Sequence, residues 1–387
     1  MASDLIRLAI LGSTGSVGEQ ALDVVRGLPD TFQVVALAAG GNTGRLREQV
    51  LEFRPDAMSC RPGRDADALR AEAGIDWQTM DEIATRSDVD VVLVATSGLA
   101  SLRPTIAALG AGKKVAIANK ETLVVGGPAV RAALDDGRDS GAELRPVDSE
   151  HSAIWQCLWG EAPSSIARLT LTASGGAFRD YDARALDGVT AAEALAHPTW
   201  KMGPKITIDS ATLFNKGLEA IEARWLFDVP LEQIDVLQHR ESVIHSMVEF
   251  TDGSVKAQLG EPDMRLPIQV ALTYPRRASV APAPMLDLAR RGTLNFGTVD
   301  VERFPALEVA LEAGRRDDTS AAAVAGADEA AVAHFLAGRC KFTDIARLLA
   351  RALEAHAPTR QPALDDLLAA EAWGRQFVDG AVAAGVR

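Results

Sequence analysis

Apolar and polar positions in the first part of the chain follow the pattern of a parallel α/β sheet. Continuous apolar runs typical of buried strands occur in the segments IRLAIL, FQVVALA, DVVLVA and KKVAIA. Helix-like segments separate these runs. Strands that are apolar throughout and alternate with helices indicate a doubly wound parallel sheet, because helices cover both of its faces. The pattern persists to about residue 147, and we predict an α/β domain over residues 1–149.

The pattern changes beyond residue 150. Strand candidates in RLTLTASGG, VIHSMVEFTDG and SVKAQLG are separated by polar and glycine turns with helices between them, which indicates an α+β domain over residues 150–280. The segment APAPM at 281–285 is typical of a linker, which we extend over residues 281–304. Alanine-rich helical periodicity then predicts a helical bundle over residues 305–387.

Composition and charge narrow the classes of function. A chain of 387 residues is long enough for two or three domains. Its 47% hydrophobic and 24% charged content is usual for a soluble globular protein. The formal net charge of −13 disfavours nucleic acids and anionic membranes as partners, because both attract basic surfaces. Small anionic ligands are compatible with it, since they need only a few local cations.

Cysteine usage and the N-terminus favour the cytoplasm. Cys60, Cys157 and Cys340 lie far apart without a C-x-x-C pair, so we expect neither structural zinc nor a disulfide framework. No apolar run reaches the roughly 18–20 residues that span a bilayer. The first strand begins at about Ile6, which leaves no room for a signal peptide.

A glycine-rich turn follows the first strand. Gly12, Gly15 and Gly18 form a G-x-x-G-x-x-G pattern that opens a helix. Glycines in this position permit a tight turn, close approach of the backbone to a pyrophosphate, and close packing of helix on strand. We therefore predict a Rossmann-like dinucleotide-binding domain. The alternative is that these glycines serve only the turn.

The end of the second strand favours NADP over NAD. NAD-selective sites usually place an acid there to bind the ribose 2′-hydroxyl, but ALAAGGN has none, and the first acid is Glu48. A carboxylate at this point would repel a 2′-phosphate. Gly40, Gly41 and Asn42 offer backbone and amide donors, and Arg45 is a possible charge partner.

Asn119, Lys120 and Glu121 come directly after another buried strand. The carboxyl ends of strands face the ligand crevice in a doubly wound sheet, so these residues are candidates for contacts with substrate and nicotinamide. The alternative is a solvated loop.

Asp148, Ser149, Glu150 and His151 occupy four consecutive positions at the end of the first domain. In an extended segment the two carboxylates would point to the same side. Paired hard oxygen donors suit Mg²⁺ or Mn²⁺, but a metal site needs at least one further ligand. Surface acids are the alternative. A Ser-His-Asp triad is disfavoured, because sequence neighbours rarely reach that geometry and no G-x-S-x-G turn occurs.

The segment 197–227 ends in a helix with two faces. Apolar residues recur at helical spacing and predict a buried stripe, and polar residues form a second stripe beside it. The apolar set is Phe214, Leu218, Ile221 and Trp225, and the polar set is Asn215, Glu219 and Glu222, with Lys216 alongside. The polar stripe is placed to line a cleft. An amphipathic surface helix with ordinary salt links is the alternative.

The same segment is a candidate phosphate site. Asp209 or Ser210 would cap the helix and direct its N-terminal amides at an anion. Ser210, Asn215 and Lys216 would then bind phosphate, with Ser174 at a strand end as a further donor. The preceding loop HPTWKMG suggests a lid that excludes water, although Trp200 could equally anchor the core.

The motifs together resemble one enzyme family. The segments LGSTGSVG, ANKETLV, PVDSEHSA, TASGGAF, HPTWKMGPKITIDSATLFNKGLE, SVIHSMVEFTDGS and EPDMRLPI occur in the order found in 1-deoxy-D-xylulose 5-phosphate reductoisomerases. The resemblance extends from residue 6 into the tail, where FTDI also fits. It implies an NADPH domain, a catalytic domain and a C-terminal four-helix bundle, usually in a homodimer.

The reaction implied is rearrangement of 1-deoxy-D-xylulose 5-phosphate, a small phosphorylated sugar, followed by NADPH reduction to 2-C-methyl-D-erythritol 4-phosphate. This is the committed step of non-mevalonate isoprenoid biosynthesis. A retro-aldol cleavage and re-addition is the mechanism usually preferred. A divalent cation, Mg²⁺, Mn²⁺ or Co²⁺, would act as Lewis acid and template.

The resemblance also implies roles for individual residues. Metal ligands would be Asp148, Glu150 and Glu219, and the catalytic residues Lys120, Glu150 and His197. Substrate contacts would come from Lys120, Ser149, Glu150, Ser174, His197, Trp200, Ser210, Asn215, Lys216 and Glu219. NADPH contacts would come from Thr14, Gly15, Ser16, Val17, Gly40, Gly41, Asn42, Asn119, Glu121 and Gly203. His151 receives no ligand role and is expected to be structural.

Departures and rival interpretations accompany the resemblance. Some members carry a basic residue where this chain has Gly41, so the NADP preference is less secure; ATLFNKG and HRES replace ATMMNKG and HPQS, for which we expect tuning only. One rival is an NADP oxidoreductase acting on a small carbonyl without rearrangement, which would not need a divalent metal. Another is a non-enzymatic NADPH sensor, which would have no use for the three separated acids.

Overall fold

The computed structural model describes residues 5–200, 202–279 and 283–385, apart from the side chain of Ala73. These residues form two compact units. The first comprises the chain up to Thr122, Pro128–Ser152 and Asp263–Met285, and the second comprises Leu123–Gly127, Ala153–Pro262 and the chain from Leu286 onwards. No helix among the described residues has the length and apolarity to cross a membrane.

The first unit is built on parallel strands alternating with helices. Its strands are β1 Ile6–Leu11, β2 Phe32–Ala38, β3 Ala57–Ser59, β4 Asp76–Trp77, β5 Val91–Val94, β6 Lys114–Ile117 and β7 Glu143–Pro146. The helices are α1 Ser16–Gly27, α2 Thr43–Phe53, α3 Arg64–Ala73, α4 Met80–Thr85, α5 Leu102–Gly110 and, much later in the chain, α11 Arg265–Thr273. Helices α6 Lys120–Gly137 and α7 Ser149–Cys157 belong to it in part, since Leu123–Gly127 and the residues from Ala153 onwards are assigned to the second unit.

The strand order β4-β3-β2-β1-β5-β6-β7 confirms the predicted doubly wound sheet. Every pairing is parallel. The order reverses at β1, whose last residue, Leu11, pairs with Ala38 of β2 on one side and Val94 of β5 on the other. In sheets of this kind ligands bind outside the carboxyl ends of the strands at the reversal, and the glycine turn follows β1 there.

The core of the first unit takes in a segment from far along the chain. Ile268, Ala271 and Leu272 of α11 are fully buried among the apolar residues of the parallel sheet and α1. Arg145 of β7 donates a hydrogen bond from Nη1 to the Ala271 carbonyl, at 3.0 Å. Residues 263–285 thus belong to the first unit. The predicted domain boundaries at 149 and 280 do not anticipate that the chain comes back to this unit.

The second unit contains a mixed sheet. Its strands are β8 Ile166–Ala173, β9 Ile234–His239, β10 Ile244–Phe250, β11 Val255–Leu259 and β12 Phe296–Thr298, in the order β11-β10-β8-β9-β12. Only β8 and β9 pair in parallel. This sheet agrees with the predicted α+β arrangement. Positions 281 and 282 of the predicted linker lie outside the described residues, and its later part supplies β12.

Helices account for the rest of the second unit. They are α8 Ala191–Ala194, α9 Pro204–Thr212, α10 Phe214–Phe227, α12 Leu288–Arg291, α13 Ala306–Arg315, α14 Ser320–Leu336, α15 Phe342–Ala355 and α16 Leu364–Ala383. The last four agree with the predicted helical tail. Helices α14 and α16 touch backbone to backbone, because a Cβ at Gly326 would lie 1.9 Å from the Glu371 carbonyl oxygen.

Candidate active site

The glycine turn after β1 is shaped by close backbone contacts. Gly12 has a φ of +96°, and a Cβ there would lie 2.4 Å from the carbonyl oxygen of Ala95, just after β5. A Cβ at Gly18 would lie 2.3 Å from the carbonyl oxygen of Gly12. Both glycines are therefore required by packing alone. Their effect is to keep the turn tight at the order reversal, where a pyrophosphate can approach backbone amides.

Arg45 does not offer a free charge at the end of β2. Its guanidinium pairs with Glu19 at 2.6 Å and also with Glu48. The hydrogen bonds that Arg45 donates to Glu19 and then to Glu48 raise the pKa of its guanidinium above the ordinary value. Asn42 caps α2, its Oδ1 accepting from the amide of Arg45 at 3.1 Å. The expectation that Arg45 balances a 2′-phosphate therefore meets two competing carboxylates.

Asn119 and Lys120 are buried, so the solvated-loop interpretation is wrong for both. The Asn119 amide nitrogen donates to the carbonyl oxygens of Thr96 and Gly98, at 2.8 and 2.7 Å. Its Oδ1 accepts from the Thr122 amide at 2.9 Å and caps α6. Asn119 thus ties the loop after β5 to the start of α6, and a nucleotide contact would fall to its backbone. Lys120, 5% exposed, begins α6.

Lys120 pairs with the first candidate metal ligand. Its Nζ lies 2.5 Å from Oδ2 of Asp148. These residues directly follow the neighbouring parallel strands β6 and β7, which explains why residues 28 positions apart in sequence meet. The other oxygen of Asp148 accepts from the Ser149 amide at 2.9 Å.

The expected extended geometry for Asp148 and Glu150 is wrong. Helix α7 begins at Ser149, so Glu150 lies in its first turn and Asp148 directly precedes it. The Ser152 amide bonds to the Asp148 carbonyl at 2.8 Å, as a helix start requires. Ser149 Oγ donates to Glu150 at 2.5 Å, while His151 is completely buried, its Nδ1 4.0 Å from Asp148. Residues 148–151 therefore do not form a Ser-His-Asp triad, in agreement with the sequence argument.

In the second unit, Glu219 receives two hydrogen bonds from its own helix. The Asn215 amide nitrogen donates to Oε1 at 2.5 Å, and Lys216 Nζ donates to Oε2. Glu219 and Glu222 are 1% and 0% exposed. Because α10 is buried on its polar side as well, the surface-helix interpretation is wrong. Burying two carboxylates one turn apart is costly unless cations or donors compensate.

The predicted cap of this helix is also wrong. Asp209 and Ser210 lie inside α9, and Leu213, with a φ of +61°, interrupts the helix before α10 begins at Phe214. A left-handed residue cannot continue a right-handed helix, so the chain turns there. Ser210 consequently belongs to a different helix from Asn215 and Lys216.

Ser174 and His197 meet beside a glycine turn that packs against the backbone of Ser210. Ser174 Oγ lies 3.1 Å from His197 Nε2 and accepts from the Gly176 amide at 3.3 Å. Gly176, with φ +69°, fits against α9 so closely that a Cβ would lie 2.5 Å from the Ser210 carbonyl oxygen. The Trp200 ring lies 6.4 Å from that of His245. Position 201 of the predicted lid lies outside the described residues.

His197 is held as one neutral tautomer. Its Nδ1 accepts from the amides of Thr199 and Trp200, at 3.1 and 2.9 Å, so the proton of the neutral ring resides on Nε2 and points at Ser174. Burial, assisted by the charge of Arg179, lowers the pKa of His197 to about 4. The residue therefore offers a neutral N–H donor rather than a cation.

We expect the ¹⁵N signals of His197 to show the neutral Nε2–H form across the physiological pH range. Its folded-state pKa lies below that of the unfolded chain, so its contribution to stability is present above the unfolded pKa and is lost as pH falls towards 4. Long-range ¹H–¹⁵N correlation spectra, assigned with His197→Asn, measure this. A protonation midpoint at the ordinary pKa of histidine would contradict this expectation.

The sequence does not reveal an ion cluster in which the partly exposed Lys205 pairs with two buried aspartates. Lys205 Nζ lies 2.6 Å from Asp209 of α9 and 2.9 Å from Asp328 of α14. Only the i, i+4 spacing of Lys205 and Asp209 was visible in the sequence; Asp328 looks there like one more charge on a helix. The cluster fixes α9, which carries Ser210, to the C-terminal helices.

These features define a class: a dinucleotide-binding α/β protein whose buried carboxylates and lysines suit chemistry on a polar small molecule. Matches to protein-family profiles identify the family within this class. The profile described as 1-deoxy-D-xylulose 5-phosphate reductoisomerase matches residues 8–127, and two profiles of C-terminal domains of the same enzyme match residues 144–227 and 259–377. The chain belongs to the 1-deoxy-D-xylulose 5-phosphate reductoisomerase family.

Individual relatives agree over nearly the whole chain. The 1-deoxy-D-xylulose 5-phosphate reductoisomerase of Shouchella clausii is 50% identical over 372 residues, covering 95% of this chain and 97% of its own. The structure of the Zymomonas mobilis enzyme in complex with NADPH superposes with a TM-score of 0.90 at 37% identity, covering 98% and 99%. A reductoisomerase in complex with NADPH, fosmidomycin and magnesium also gives 0.90, at 36% identity and 98% coverage of both chains. The resemblance seen in the sequence is confirmed.

Proposed function

We propose that this protein converts 1-deoxy-D-xylulose 5-phosphate into 2-C-methyl-D-erythritol 4-phosphate with NADPH and one divalent cation. The observation that carries the proposal is membership of the family at up to 50% identity over almost the entire chain. Relatives solved with NADPH and with magnesium support both cofactors. The rearrangement followed by reduction supplies a precursor for isoprenoid biosynthesis.

The donor set fits a hard divalent cation. Asp148 and Glu150 of the first unit and Glu219 of the second are the proposed ligands, all of them carboxylates of the kind that Mg²⁺ and Mn²⁺ prefer. When bound, the cation would polarise the carbonyl and hydroxyl oxygens of the substrate. Hydrogen bonds from Ser149 to Glu150 and from Asn215 to Glu219 hold two of these carboxylates in defined rotamers.

The remaining residues provide binding and proton handling. Ser174, Ser210, Asn215 and Lys216 are proposed to bind the substrate phosphate, with the Nε2–H of His197 as a further neutral donor and Trp200 as cover. Lys120, Ser149 and Glu150 are proposed to contact the substrate hydroxyls, and Lys120 to assist proton transfer. Buried ammonium groups are suited to both tasks, because little water screens them.

The proposed NADPH contacts divide between the units. Thr14, Gly15, Ser16 and Val17 belong to the turn and first helical residues after β1, and Gly40, Gly41 and Asn42 follow β2. Asn119 and Glu121 begin α6, while Gly203 precedes α9 in the second unit. The positions at the carboxyl ends of β1, β2 and β6 are those at which a doubly wound sheet binds a dinucleotide.

We expect purified protein to oxidise NADPH when given 1-deoxy-D-xylulose 5-phosphate and Mg²⁺ or Mn²⁺, and to stop when EDTA removes the metal. NADPH absorbance follows the reaction, and re-addition of metal is the control that distinguishes metal loss from denaturation. Product analysis must show the branched carbon skeleton. Full activity in EDTA, or reduction without rearrangement, would contradict the proposal and favour a simple carbonyl reductase.

Three finer properties belong to the same proposal. Mn²⁺ or Co²⁺ should substitute for Mg²⁺, because an all-carboxylate site discriminates weakly among these ions. A homodimer is proposed from the family resemblance. A cytoplasmic location is proposed because Cys60, Cys157 and Cys340 form no disulfide within the part of the chain that the structure describes.

A further inference from the structure

The loop after β2 lacks the side chain that a 2′-phosphate requires. Gly40 and Gly41 present no side chain, and a Cβ at Gly41 would meet nothing within 4 Å. The charge of Arg45 is engaged by Glu19 and Glu48. A dinucleotide site that takes the phosphorylated cofactor ordinarily places an arginine near this point. We therefore expect an arginine that binds the 2′-phosphate to come from a neighbouring strand or from the loop that follows it.

Arg61 lies on the adjoining loop. Beyond the paired residues Ala38 and Ser59, the backbone ladder between β2 and β3 continues, with the Ala39 amide bonded to the Ser59 carbonyl at 2.9 Å. One step further, the Arg61 amide donates to the Gly40 carbonyl at 3.0 Å. The backbone of Arg61 is thus hydrogen-bonded directly to the glycine loop that follows β2.

The side chain of Arg61 is available for a ligand. The residue is exposed, and over 5–200, 202–279 and 283–385 it takes part in no ion pair or side-chain hydrogen bond. Asn42 offers a second donor close by. Its Oδ1 is used to cap α2, which leaves the amide nitrogen directed elsewhere. A guanidinium and an amide N–H₂ group are a suitable pair for a phosphate monoester, since neither can carry negative charge.

We propose that Arg61, assisted by Asn42, binds the 2′-phosphate of NADPH and sets the preference for NADPH over NADH. This assignment rests on the proposed use of NADPH. Arg61, on the loop after β3, would supply the cation that the glycines of the loop after β2 cannot provide. Planar guanidinium and phosphate oxygens match for two parallel hydrogen bonds, which an ammonium group cannot reproduce.

The test compares the dissociation constants of NADPH and NADH, titrated by nucleotide fluorescence without substrate or metal. Arg61→Ala should weaken NADPH binding by roughly tenfold to a hundredfold, the range for losing a charged hydrogen-bonded contact, and leave NADH binding unchanged. Arg61→Lys should recover part of the loss. Arg64→Ala is the matched control, because it removes an equally exposed arginine three positions along, at the start of α3.

Three results would overturn the assignment. The first is an unchanged NADPH dissociation constant in Arg61→Ala. The second is an equal loss in Arg64→Ala, which would show a diffuse positive field rather than a specific contact. The third is equal weakening of NADPH and NADH binding by Arg61→Ala, because the adenine side of the site would then be disturbed. Failure of the wild-type protein to turn over 1-deoxy-D-xylulose 5-phosphate would refute the proposed function but would leave these nucleotide constants interpretable.

Discussion

Glu219→Gln is expected to abolish turnover while leaving the dissociation constant of NADPH nearly unchanged. The substitution keeps the size of the side chain but removes the charge of a proposed metal ligand that is 1% exposed. Loss of several kcal/mol of metal-dependent stabilisation corresponds to a fall in kcat of about three orders of magnitude or more. NADPH binding should persist, because the glycine turn and the β2 loop belong to the other compact unit. Steady-state rates and fluorescence titration give the two readouts.

Glu308→Gln is the matched control for this experiment. Glu308 is an exposed residue in the first turn of α13, in the same compact unit as Glu219. Its substitution should alter neither rate nor binding. If Glu219→Gln retained wild-type kcat, Glu219 would not be a metal ligand. If it lost NADPH binding instead, Glu219 would serve the nucleotide site, and its proposed role as a metal ligand would be wrong.

Lys205→Met is expected to destabilise the fold by about 3–5 kcal/mol, the usual cost of removing one partner from a buried ion pair. Asp209 and Asp328 are 1% and 0% exposed, and the Lys205 ammonium contacts both. Methionine retains most of the apolar part of the lysine side chain, so the loss of stability measures the contribution of the positive charge. Urea unfolding followed by circular dichroism measures the change in free energy of unfolding.

The same variant should depend on pH in a defined direction. Burial raises the pKa of Asp328, and Lys205 opposes that shift. A carboxyl whose pKa is raised on folding favours the folded state at low pH, and this advantage is lost as pH rises through the folded-state value. Without Lys205 the shift should grow, so the variant should be closest to wild type in acid and furthest from it at neutral pH.

Lys341→Met provides the comparison for Lys205→Met. Lys341 pairs with Asp187 at 2.5 Å, but both side chains are about half exposed. Exposed pairs contribute only about 0–1 kcal/mol, so this variant should unfold almost as the wild type does. Equal effects of the two substitutions would show that burial does not govern the energetics of the Lys205 cluster.

The local sequence pattern was sufficient to predict the parallel sheet and the glycine turn. It was insufficient to predict contacts between segments that are distant in sequence. The apolar runs and Gly12 carry their own explanation, since strand periodicity and turn chemistry depend on near neighbours. The break at Leu213 had no such signal, because leucine ordinarily favours a helix and only tertiary packing holds it at positive φ. The start of α7 at Ser149 is not predicted from the sequence, because Asp148 and Glu150 fit an extended segment as well as the first turn of a helix.

Long-range partners explain the remaining differences. Ile268 and Leu272 have the spacing of any amphipathic helix, and nothing in that spacing tells which unit the helix joins. Asp328 likewise shows no sign in sequence of its contact with Lys205, more than a hundred residues earlier. For the candidate site, residue types and order were readable, but the hydrogen bonds of Asn119 and the tautomer of His197 required coordinates.

The lysine partners of Asp148 and Glu219 explain how the negative charges of these two carboxylates are compensated before a metal ion binds. Lys120 holds one carboxylate and Lys216 the other, and both lysines are themselves proposed to touch the substrate. Each ammonium group thus serves as the counterion of one carboxylate that would otherwise lack a compensating charge. Arrival of a divalent cation would take over that duty and free the ammonium groups for the incoming sugar phosphate. If the proposed ligands and substrate contacts hold, metal loading and substrate capture would be one exchange of positive charge.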